Sequence, residues 1–268
     1  MHPILVEIGN FRIYSYGFML ALSFFLGILL AAGRAKRRGV DPNLIYDLSI
    51  ILIVSAVVGS RGLYILTHRD HFRNFTDMIA LWQGGATLYG GMILALAGAW
   101  VYLRRKGVSF LKVADICALS VASGEFLTRI GCFLSGCCFG KPTQCALGLV
   151  YPPGCAAGNA YPGVHIHPTQ IYMSFYGLLI FLILALLDRK KRYDGFLFGA
   201  LLVLYGAARF IVDGVRHYED SARVIGNLID NQLISIALVA AGIFLIAAGW
   251  RRSSRPKGRA GADKGVRA

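Results

Sequence analysis

The sequence predicts an all-α, polytopic membrane protein with about seven transmembrane helices, an N-terminus outside the membrane and a cytoplasmic C-terminus. Hydrophobic residues make up 56% of the 268 residues, charged residues only 16%, and the mean hydropathy is +0.58. Such a composition is too apolar for a soluble domain and is typical of a polytopic membrane protein. The net charge of +14 is carried largely by short basic clusters between apolar segments. This distribution argues against a protein that binds nucleic acid.

Seven apolar segments have the length that a membrane span needs, which is about 20 mostly apolar residues. In chain order they are residues 14–33, 46–66, 87–103, 112–134, 170–187, 195–213 and 232–250. Glycine and polar residues interrupt the second, fourth and sixth. Glycine is nevertheless common in membrane helices because it allows them to pack closely, so we predict a helix for every segment.

Basic clusters follow alternate segments and predict the orientation. They are residues 34–38, 104–106, 189–192 and 251–252. With seven spans, all four clusters lie on the same side of the membrane. The positive-inside rule makes that side cytoplasmic.

The chain is expected to form a single transmembrane domain over residues 1–250. Residues 251–268 are basic and rich in Gly, Ser and Ala. They are typical of a disordered cytoplasmic tail with affinity for anionic lipid. No convincing internal repeat is present, which argues against a transporter built from inverted halves.

Arg129 and Arg209 lie inside otherwise apolar segments. A charge at the centre of a membrane helix costs roughly 2.5–3.5 kcal/mol, so such residues indicate a functional site. The planar guanidinium binds phosphate in bidentate fashion, and a phospholipid headgroup is therefore a suitable ligand. Internal ion pairing is the alternative, because Glu125 and Asp213 each stand four residues from one of these arginines.

Further polar and glycine residues gather at the predicted outer ends of the spans. They are Tyr16, Arg61, Tyr89, Gly90, Gly91, His167, Gln170, Tyr205, Asp213 and Arg216. This one-sided distribution predicts chemistry at the outer leaflet. For Arg61, structural pairing or snorkelling is an equal alternative, and the glycine pair also suits tight helix packing.

Five of the six cysteines follow Arg129 in or at a predicted outer loop: Cys132, Cys137, Cys138, Cys145 and Cys155. An exoplasmic compartment is oxidising, so one or two disulfides are expected there. Cys117 lies within a span and is expected to be a small core residue. A metal site at these cysteines is an alternative that no Cys-x-x-Cys pair supports, so we expect neither a metal nor a cofactor.

Several motifs together resemble one known family over nearly the whole chain, in both order and spacing. They are Tyr16-Gly17, Gly59-Ser60-Arg61, WQGGATLYGG, Arg129-Ile130-Gly131 with Gly136 and Gly140, HPTQIY from His167, and YGAAR ending at Arg209 and followed by Asp213. The family is that of the bacterial prolipoprotein diacylglyceryl transferases.

The resemblance implies an enzyme of the bacterial cytoplasmic (inner) membrane. Its reaction transfers a diacylglyceryl group from phosphatidylglycerol to the lipobox cysteine thiol in the signal peptide of a preprolipoprotein. The product is a thioether, and glycerol phosphate leaves. The partners are thus phosphatidylglycerol, the preprolipoprotein and membrane lipid, without nucleic acid.

The resemblance also implies roles for particular residues. Arg129 and Arg209 would hold the phosphate and stabilise charge on the departing glycerol phosphate. Tyr89 occupies a catalytic position. The remaining substrate-binding residues would be Tyr16, Arg61, Gly90, Gly91, Gly140 in the signature loop, His167, Gln170, Tyr205, Asp213 and Arg216.

Three positions depart from the family pattern. Tyr89 replaces the histidine that is the proposed base, Cys132 replaces an asparagine, and Asp213 replaces a glutamate. A phenol is a poor base at neutral pH, whereas a thiol of pKa about 8.5 is acidic enough for arginines to activate it. Two alternatives follow: a related transferase with a different acceptor, or a non-enzymatic lipid-binding or transport protein.

Overall fold

The computed structural model describes residues 1–9, 11–68, 87–190, 193–218, 223–225 and 228–254. Within these ranges the chain forms helices and two short hairpins. The helices are α1 (Ser15–Arg37), α2 (Pro42–Thr67), α3 (Leu88–Arg105), α4 (Phe110–Ser135), α5 (Ala156–Ala160), α6 (Thr169–Asp188), α7 (Phe196–Val215) and α8 (Asp230–Ser253). The strands are β1 (Ile4–Ile8), β2 (Phe11–Tyr14), β3 (Arg223–Ile225) and β4 (Leu228–Ile229).

The predicted helical fold class is confirmed. Each of the seven predicted spans coincides with one long helix, and the ends differ by at most four residues. Five helices, α1, α2, α6, α7 and α8, are long and apolar enough to cross a membrane. The count of seven spans and the orientation of the termini stay predictions.

The two remaining long helices, α3 and α4, differ in how many charged residues they carry. α4 contains Lys112, Asp115, Glu125 and Arg129. α3 has 18 residues and ends in Arg104 and Arg105. α4 is therefore an apolar helix interrupted by charged residues, and the functional role predicted for Arg129 stays a prediction.

Two hairpins were not predicted from the sequence. β1 pairs antiparallel with β2, and Arg12 forms an ion pair with Glu7 in which Nε and Oε1 lie 2.7 Å apart. β3 pairs antiparallel with β4 immediately before α8. Strands of two to five residues are too short to produce a clear alternating pattern.

The C-terminal boundary differs from the predicted one. α8 continues through Arg251 and Arg252 and ends at Ser253. Basic residues in a last helical turn interact favourably with the negative end of the helix dipole. The rest of the predicted tail, residues 255–268, lies outside the described residues.

The chain divides into two compact units. The first consists of Met1–Phe24 and Val121–Ala268, and the second of Phe25–Ser120. In the first unit, glycines bring helix backbones together. A Cβ on Gly177 of α6 would lie 2.8 Å from the backbone nitrogen of Phe126 of α4. α6 therefore approaches α4 closely beside Glu125, where the polar cluster described below is assembled.

In the second unit, α2 and α3 pack through glycines. A Cβ on Gly90 would collide with the Gly59 carbonyl, and one on Gly91 would lie 2.8 Å from the Ala56 oxygen. The packing explanation that the sequence left open for Gly90 and Gly91 thus has a structural basis, and their predicted role in substrate binding stays a prediction.

We expect Gly59→Ala to destabilise the protein. The new methyl group would lie 2.7 Å from the Leu94 Cβ and would also meet the Gly90 backbone. Overpacking of this kind lowers the free energy of unfolding by about 1–3 kcal/mol. The measurement is reversible unfolding in mixed micelles of a mild detergent and SDS.

Gly62→Ala is the matched control on the same helix, because no atom lies within 4 Å of its added Cβ. It should leave stability unchanged or raise it by up to about 1 kcal/mol, since alanine favours helix. Equal destabilisation by the two substitutions would contradict close packing at Gly59.

Candidate functional site

Arg129 lies in the C-terminal part of α4 and pairs with Glu125 one turn earlier. Their Nε and Oε1 atoms lie 2.9 Å apart, and the two side chains are only 16% and 15% exposed. The hydroxyl of Tyr176, on α6, donates a hydrogen bond of 2.9 Å to the same carboxylate oxygen. The predicted internal ion pair is therefore present, and a tyrosine from a second helix supports it.

Arg209 on α7 is held by a second carboxylate and a second tyrosine. Its Nε lies 3.1 Å from Oδ2 of Asp213, whose side chain is fully buried. The Tyr218 hydroxyl accepts a hydrogen bond from Arg209 Nη2 at 3.0 Å and donates one to Asp213 Oδ1 at 2.8 Å. Asn231 of α8 donates to the same hydroxyl at 3.1 Å. Tyr218 thus connects both members of the ion pair to α8.

Two tyrosine rings lie between the arginines. Tyr176 and Tyr205 meet edge to face, with ring centroids 6.1 Å apart. The Tyr205 phenol interacts electrostatically with both Arg129 and Arg209. The two arginines predicted from separate segments therefore belong to one cluster.

Arg216, the C-cap of α7, adds a third positive charge to this cluster. Its guanidinium lies over the Tyr218 ring, 5.0 Å from the centroid, and interacts electrostatically with Asp213. Its buried Nε has no hydrogen-bond partner within the described part of the chain. Three arginines thus face the two carboxylates of Glu125 and Asp213, which leaves an excess positive charge suited to an anion.

The predicted signature loop is fixed by contacts with two other segments. The Gly140 N–H donates to the His167 carbonyl at 3.0 Å, and the Lys141 N–H donates to the Val215 carbonyl at 2.9 Å. A Cβ on Gly140 would lie 2.6 Å from the His167 oxygen. Only glycine allows this approach, so Gly140 holds the loop against the segments that precede α6 and follow α7.

The first residues of α6 also hold this loop. Thr169 Oγ1 donates to the Cys138 carbonyl at 2.8 Å, and Gln170 Nε2 donates to the Cys137 carbonyl at 2.7 Å. Gln170 is fully buried and accepts a hydrogen bond of 2.9 Å from Tyr151. These contacts make Gln170 a positioning residue for the loop.

His167 lies nearby, with its Nδ1 3.2 Å from the hydroxyl of Tyr172. The direct substrate contacts predicted for His167 and Gln170 stay predictions.

The loop brings three cysteines together. The Sγ atoms of Cys132, Cys137 and Cys138 all lie within 4.8 Å of one another. All six cysteines lie among the described residues and are free thiols, so the expected disulfides are not formed in this structure. Arg129 Nη1 lies 3.9 Å from the Cys132 sulfur.

Hydrogen bonds from Cys132 and Cys137 lower the pKa of the Cys138 thiol well below its ordinary value. Arg216 and Arg129 lower it further, while burial opposes the change. The geometry therefore favours a thiolate at Cys138.

An open apolar groove of about 270 Å³ lies beside Arg129. Its lining comes from α4 and α6 and consists of Phe126, Arg129, Ile130, Phe133, Gln170, Ile171, Ser174, Phe175 and Leu178. A groove with one arginine and mostly apolar walls matches a ligand with an anionic group and a hydrocarbon chain.

Tyr16 also belongs to the first unit. A Cβ on Gly131 of α4 would lie 3.3 Å from the Tyr16 Cα, so Tyr16 packs beside the helix that carries Arg129. Its phenol interacts electrostatically with Arg129 and with the three clustered thiols. The structure thus brings Tyr16, Arg129, Tyr205, Arg209, Asp213 and Arg216 into one region.

Arg61 and Tyr89 lie in the second unit. Arg61 is buried, and its guanidinium lies 5.8 Å from the Tyr64 ring centroid. Tyr89 is 45% exposed in the first turn of α3. Their predicted participation in the site stays a prediction, and Gly84 and Gly85 of the WQGGATLYGG motif lie outside the described residues.

Sequence reasoning missed Tyr176 and Tyr218. Tyr176 lies one turn after Tyr172 on the predicted fifth span, a spacing that could have indicated a shared face with the HPTQIY motif. Tyr218 follows the end of α7, where no helical periodicity applies, and only the folded chain reveals its contact with Arg209.

Comparisons with known proteins point to one family. The family model described as prolipoprotein diacylglyceryl transferase matches residues 3–248. The phosphatidylglycerol–prolipoprotein diacylglyceryl transferase of Clostridium tetani is 32% identical over 245 residues, which cover 91% of this chain and 96% of the relative. Those of Finegoldia magna and Geobacillus kaustophilus are 32% and 31% identical and cover 91% and 93% of the chain, with 94% of each relative matched. The family resemblance stated from the motifs is confirmed.

We expect Tyr218→Phe to destabilise the site. The substitution removes the hydroxyl shared by Arg209, Asp213 and Asn231 and leaves buried charged groups without a hydrogen bond, at a cost of about 1–3 kcal/mol. The measurement is again unfolding in mixed micelles. Tyr14→Phe is the matched control, because Tyr14 is 56% exposed. Equal stability of the two variants would contradict the connecting role of Tyr218.

Proposed function

Because the chain belongs to the prolipoprotein diacylglyceryl transferase family, we propose that it transfers a diacylglyceryl group from phosphatidylglycerol to a prolipoprotein. The acceptor is the lipobox cysteine thiol in the signal peptide. The observation that carries this proposal is the cluster of partly buried arginines beside an apolar groove, which suits a phospholipid with its phosphate and acyl chains together.

The reaction exchanges one bond to carbon for another. The acceptor sulfur attacks the glyceryl carbon that bears the phosphate. A C–S bond forms while the C–O bond breaks, and the electron pair of that bond leaves with glycerol phosphate. The thiol proton passes to water or to a base. Negative charge thus develops on the leaving phosphate oxygen, where fixed positive groups stabilise the transition state most.

The three arginines are suited to that leaving group. Arg129 and Arg209 hold the phosphate, and Arg216 contributes the hydrogen-bonding capacity of its unpartnered Nε. Glu125 and Asp213 fix the orientation of two guanidinium groups through ion pairs. Tyr16 and Tyr205 shape the pocket around the headgroup, and the groove between α4 and α6 accepts an acyl chain.

The family and the five apolar helices identify a multi-pass protein of the bacterial inner membrane. Large apolar side chains such as Phe175, Ile211 and Phe244 are 67%, 73% and 70% exposed. Such exposure is expected for side chains that face lipid. For this membrane protein we propose seven spans, a cytoplasmic C-terminus and a site that opens to the outer leaflet. The distribution of the basic clusters supports this orientation.

The direct test uses the purified chain in detergent with isotopically labelled phosphatidylglycerol and a lipobox peptide. Mass spectrometry should detect both glycerol phosphate and a peptide that carries the diacylglyceryl group. A peptide with serine in place of the cysteine is the control. Glycerol phosphate without lipidated peptide would instead indicate a different acceptor, and the absence of both products would contradict the proposed transfer.

We expect Arg129→Ala and Arg209→Ala each to lower the rate of transfer by about 10²–10³-fold, because each removes a donor to the developing charge. Arg129→Lys should lose less than Arg129→Ala, since it keeps the charge but not the bidentate fork. The measurement is the rate of glycerol phosphate release by variants that elute from a size-exclusion column at the same volume as the wild type.

The control is Arg12→Gln, because Arg12 is an exposed residue of the β1–β2 hairpin. It should transfer at the rate of the wild type. Wild-type turnover by either alanine variant would contradict the phosphate-binding assignment.

We expect Tyr89→Phe to retain activity within a few-fold of the wild type. A phenol is a poor base at neutral pH. Tyr89 is also exposed, so loss of its hydroxyl leaves no buried polar group without a partner. The measurement is the pH dependence of peptide lipidation for both proteins. A loss of more than about tenfold, the size of a general-base contribution, would instead assign the hydroxyl a chemical role.

A further inference from the structure

We propose that Cys132, Cys137 and Cys138 form a three-thiolate site for a thiophilic metal ion such as Zn²⁺, and that the remaining coordination position receives the acceptor thiol. The second part rests on the proposed transferase function. The first part rests only on the geometry of the described cysteines, which the sequence grouped in one loop without a recognised metal-binding spacing.

The sulfur positions suit a metal. The three Sγ atoms lie within 4.8 Å of one another. A tetrahedral zinc ion with Zn–S bonds of about 2.3 Å separates its sulfur ligands by about 3.8 Å. The thiols therefore need to move by no more than about 1 Å to reach ligating separations. Soft thiolate sets select zinc or cuprous copper over hard cations such as Mg²⁺ and Ca²⁺.

The backbone holds the thiols in this arrangement. The Cys137 N–H donates to the Cys132 carbonyl at 3.2 Å, which closes the chain into a tight loop after α4. Thr169 and Gln170 hold the carbonyls of Cys138 and Cys137. Cys138 has a φ of 58°, the one positive φ of a non-glycine residue in the described part of the chain. Such a conformation is strained in a residue other than glycine, and strained backbone of this kind clusters at ligand and active sites.

The surrounding charges compensate a thiolate set. Three thiolates and one divalent ion carry one net negative charge. Arg129 Nη1 lies 3.9 Å from the Cys132 sulfur, and Arg216 interacts electrostatically with Cys138. The same arginines face the proposed phosphate, so a metal in this loop would lie beside the reacting carbon.

Three protein ligands leave one tetrahedral position open, the arrangement of catalytic rather than structural zinc sites. A thiol that enters this position loses its proton to water, because coordination to the cation deprotonates it. The resulting sulfur lone pair forms the C–S bond as the C–O bond breaks, and glycerol phosphate takes the released electron pair. This arrangement requires no protein base, which agrees with a tyrosine at position 89.

The test begins with metal content. The full-length protein is purified in detergent with a reductant and without chelators, and zinc is measured by mass spectrometry. We expect one zinc per chain in the wild type and loss of the metal in Cys137→Ser and Cys138→Ser. Cys145→Ser is the matched control, because Cys145 is exposed and outside the cluster. It should keep its zinc.

Replacement of zinc by Co²⁺ in the wild type tests the site without any substitution. Cobalt–thiolate charge-transfer absorption should appear, because cobalt reports tetrahedral sulfur ligation. A reduced wild-type chain that binds neither zinc nor Co²⁺ would overturn the metal site. A disulfide within the cluster, detected by intact mass, would do the same and would identify a redox pair instead.

The acceptor position is tested on the cobalt protein with a lipobox peptide. The charge-transfer band should intensify with the cysteine peptide and stay unchanged with its serine counterpart. An unchanged band with both peptides, together with full transfer by the metal-free protein, would overturn the acceptor assignment. An intensified band without any lipidated product would leave the metal site standing and contradict the transferase function.

Discussion

The site depends on keeping two arginines charged within apolar helices. Each helix carries its own counterion one turn away, Glu125 for Arg129 and Asp213 for Arg209. Such i, i+4 pairs reduce the cost of placing charge in a membrane helix, and they form within a single helix before helices pack. A tyrosine hydroxyl then donates one hydrogen bond to each carboxylate. Ion pairing and phosphate binding, two alternatives at the level of the sequence, are therefore compatible parts of one arrangement.

A short loop determines how the parts of this arrangement are spaced. The segment after α4 is bound on one side to the start of α6 through Thr169 and Gln170, and on the other to the segment after α7 through Gly140 and Lys141. Arg129 lies on α4, which leads into this loop, and Arg216 pairs with Gly140 in an antiparallel bridge. Glycine is required at position 140 because three chain segments meet there. The loop thereby sets the distance between thiols and arginines.

The arginines beside the cysteine cluster favour a thiolate for the same electrostatic reason that they favour a phosphate. A cationic site lowers the free energy of a thiolate as well as that of a phosphate. An arrangement that stabilises the leaving group can therefore also stabilise the nucleophile. The family histidine is replaced by Tyr89, and a family asparagine is replaced by Cys132, which lies beside Arg129. In the proposed mechanism these two departures concern the acceptor side of the reaction. The third departure, Asp213 in place of glutamate, keeps a carboxylate beside Arg209.

The sequence by itself determined the seven long helices, the two arginines within apolar segments, their carboxylate partners and the family. All of these depend on apolar runs, on neighbours within one helical turn or on ordered motifs. Only the tertiary structure decided that Tyr176 supports Glu125, that Tyr218 connects Arg209 with Asp213, and that Cys132 meets Cys137 and Cys138. It also assigned Gly90 and Gly91 to helix packing. These contacts depend on how helices cross and how loops close. Local periodicity carries no information about distances between residues on different elements, so the folded chain alone reveals them.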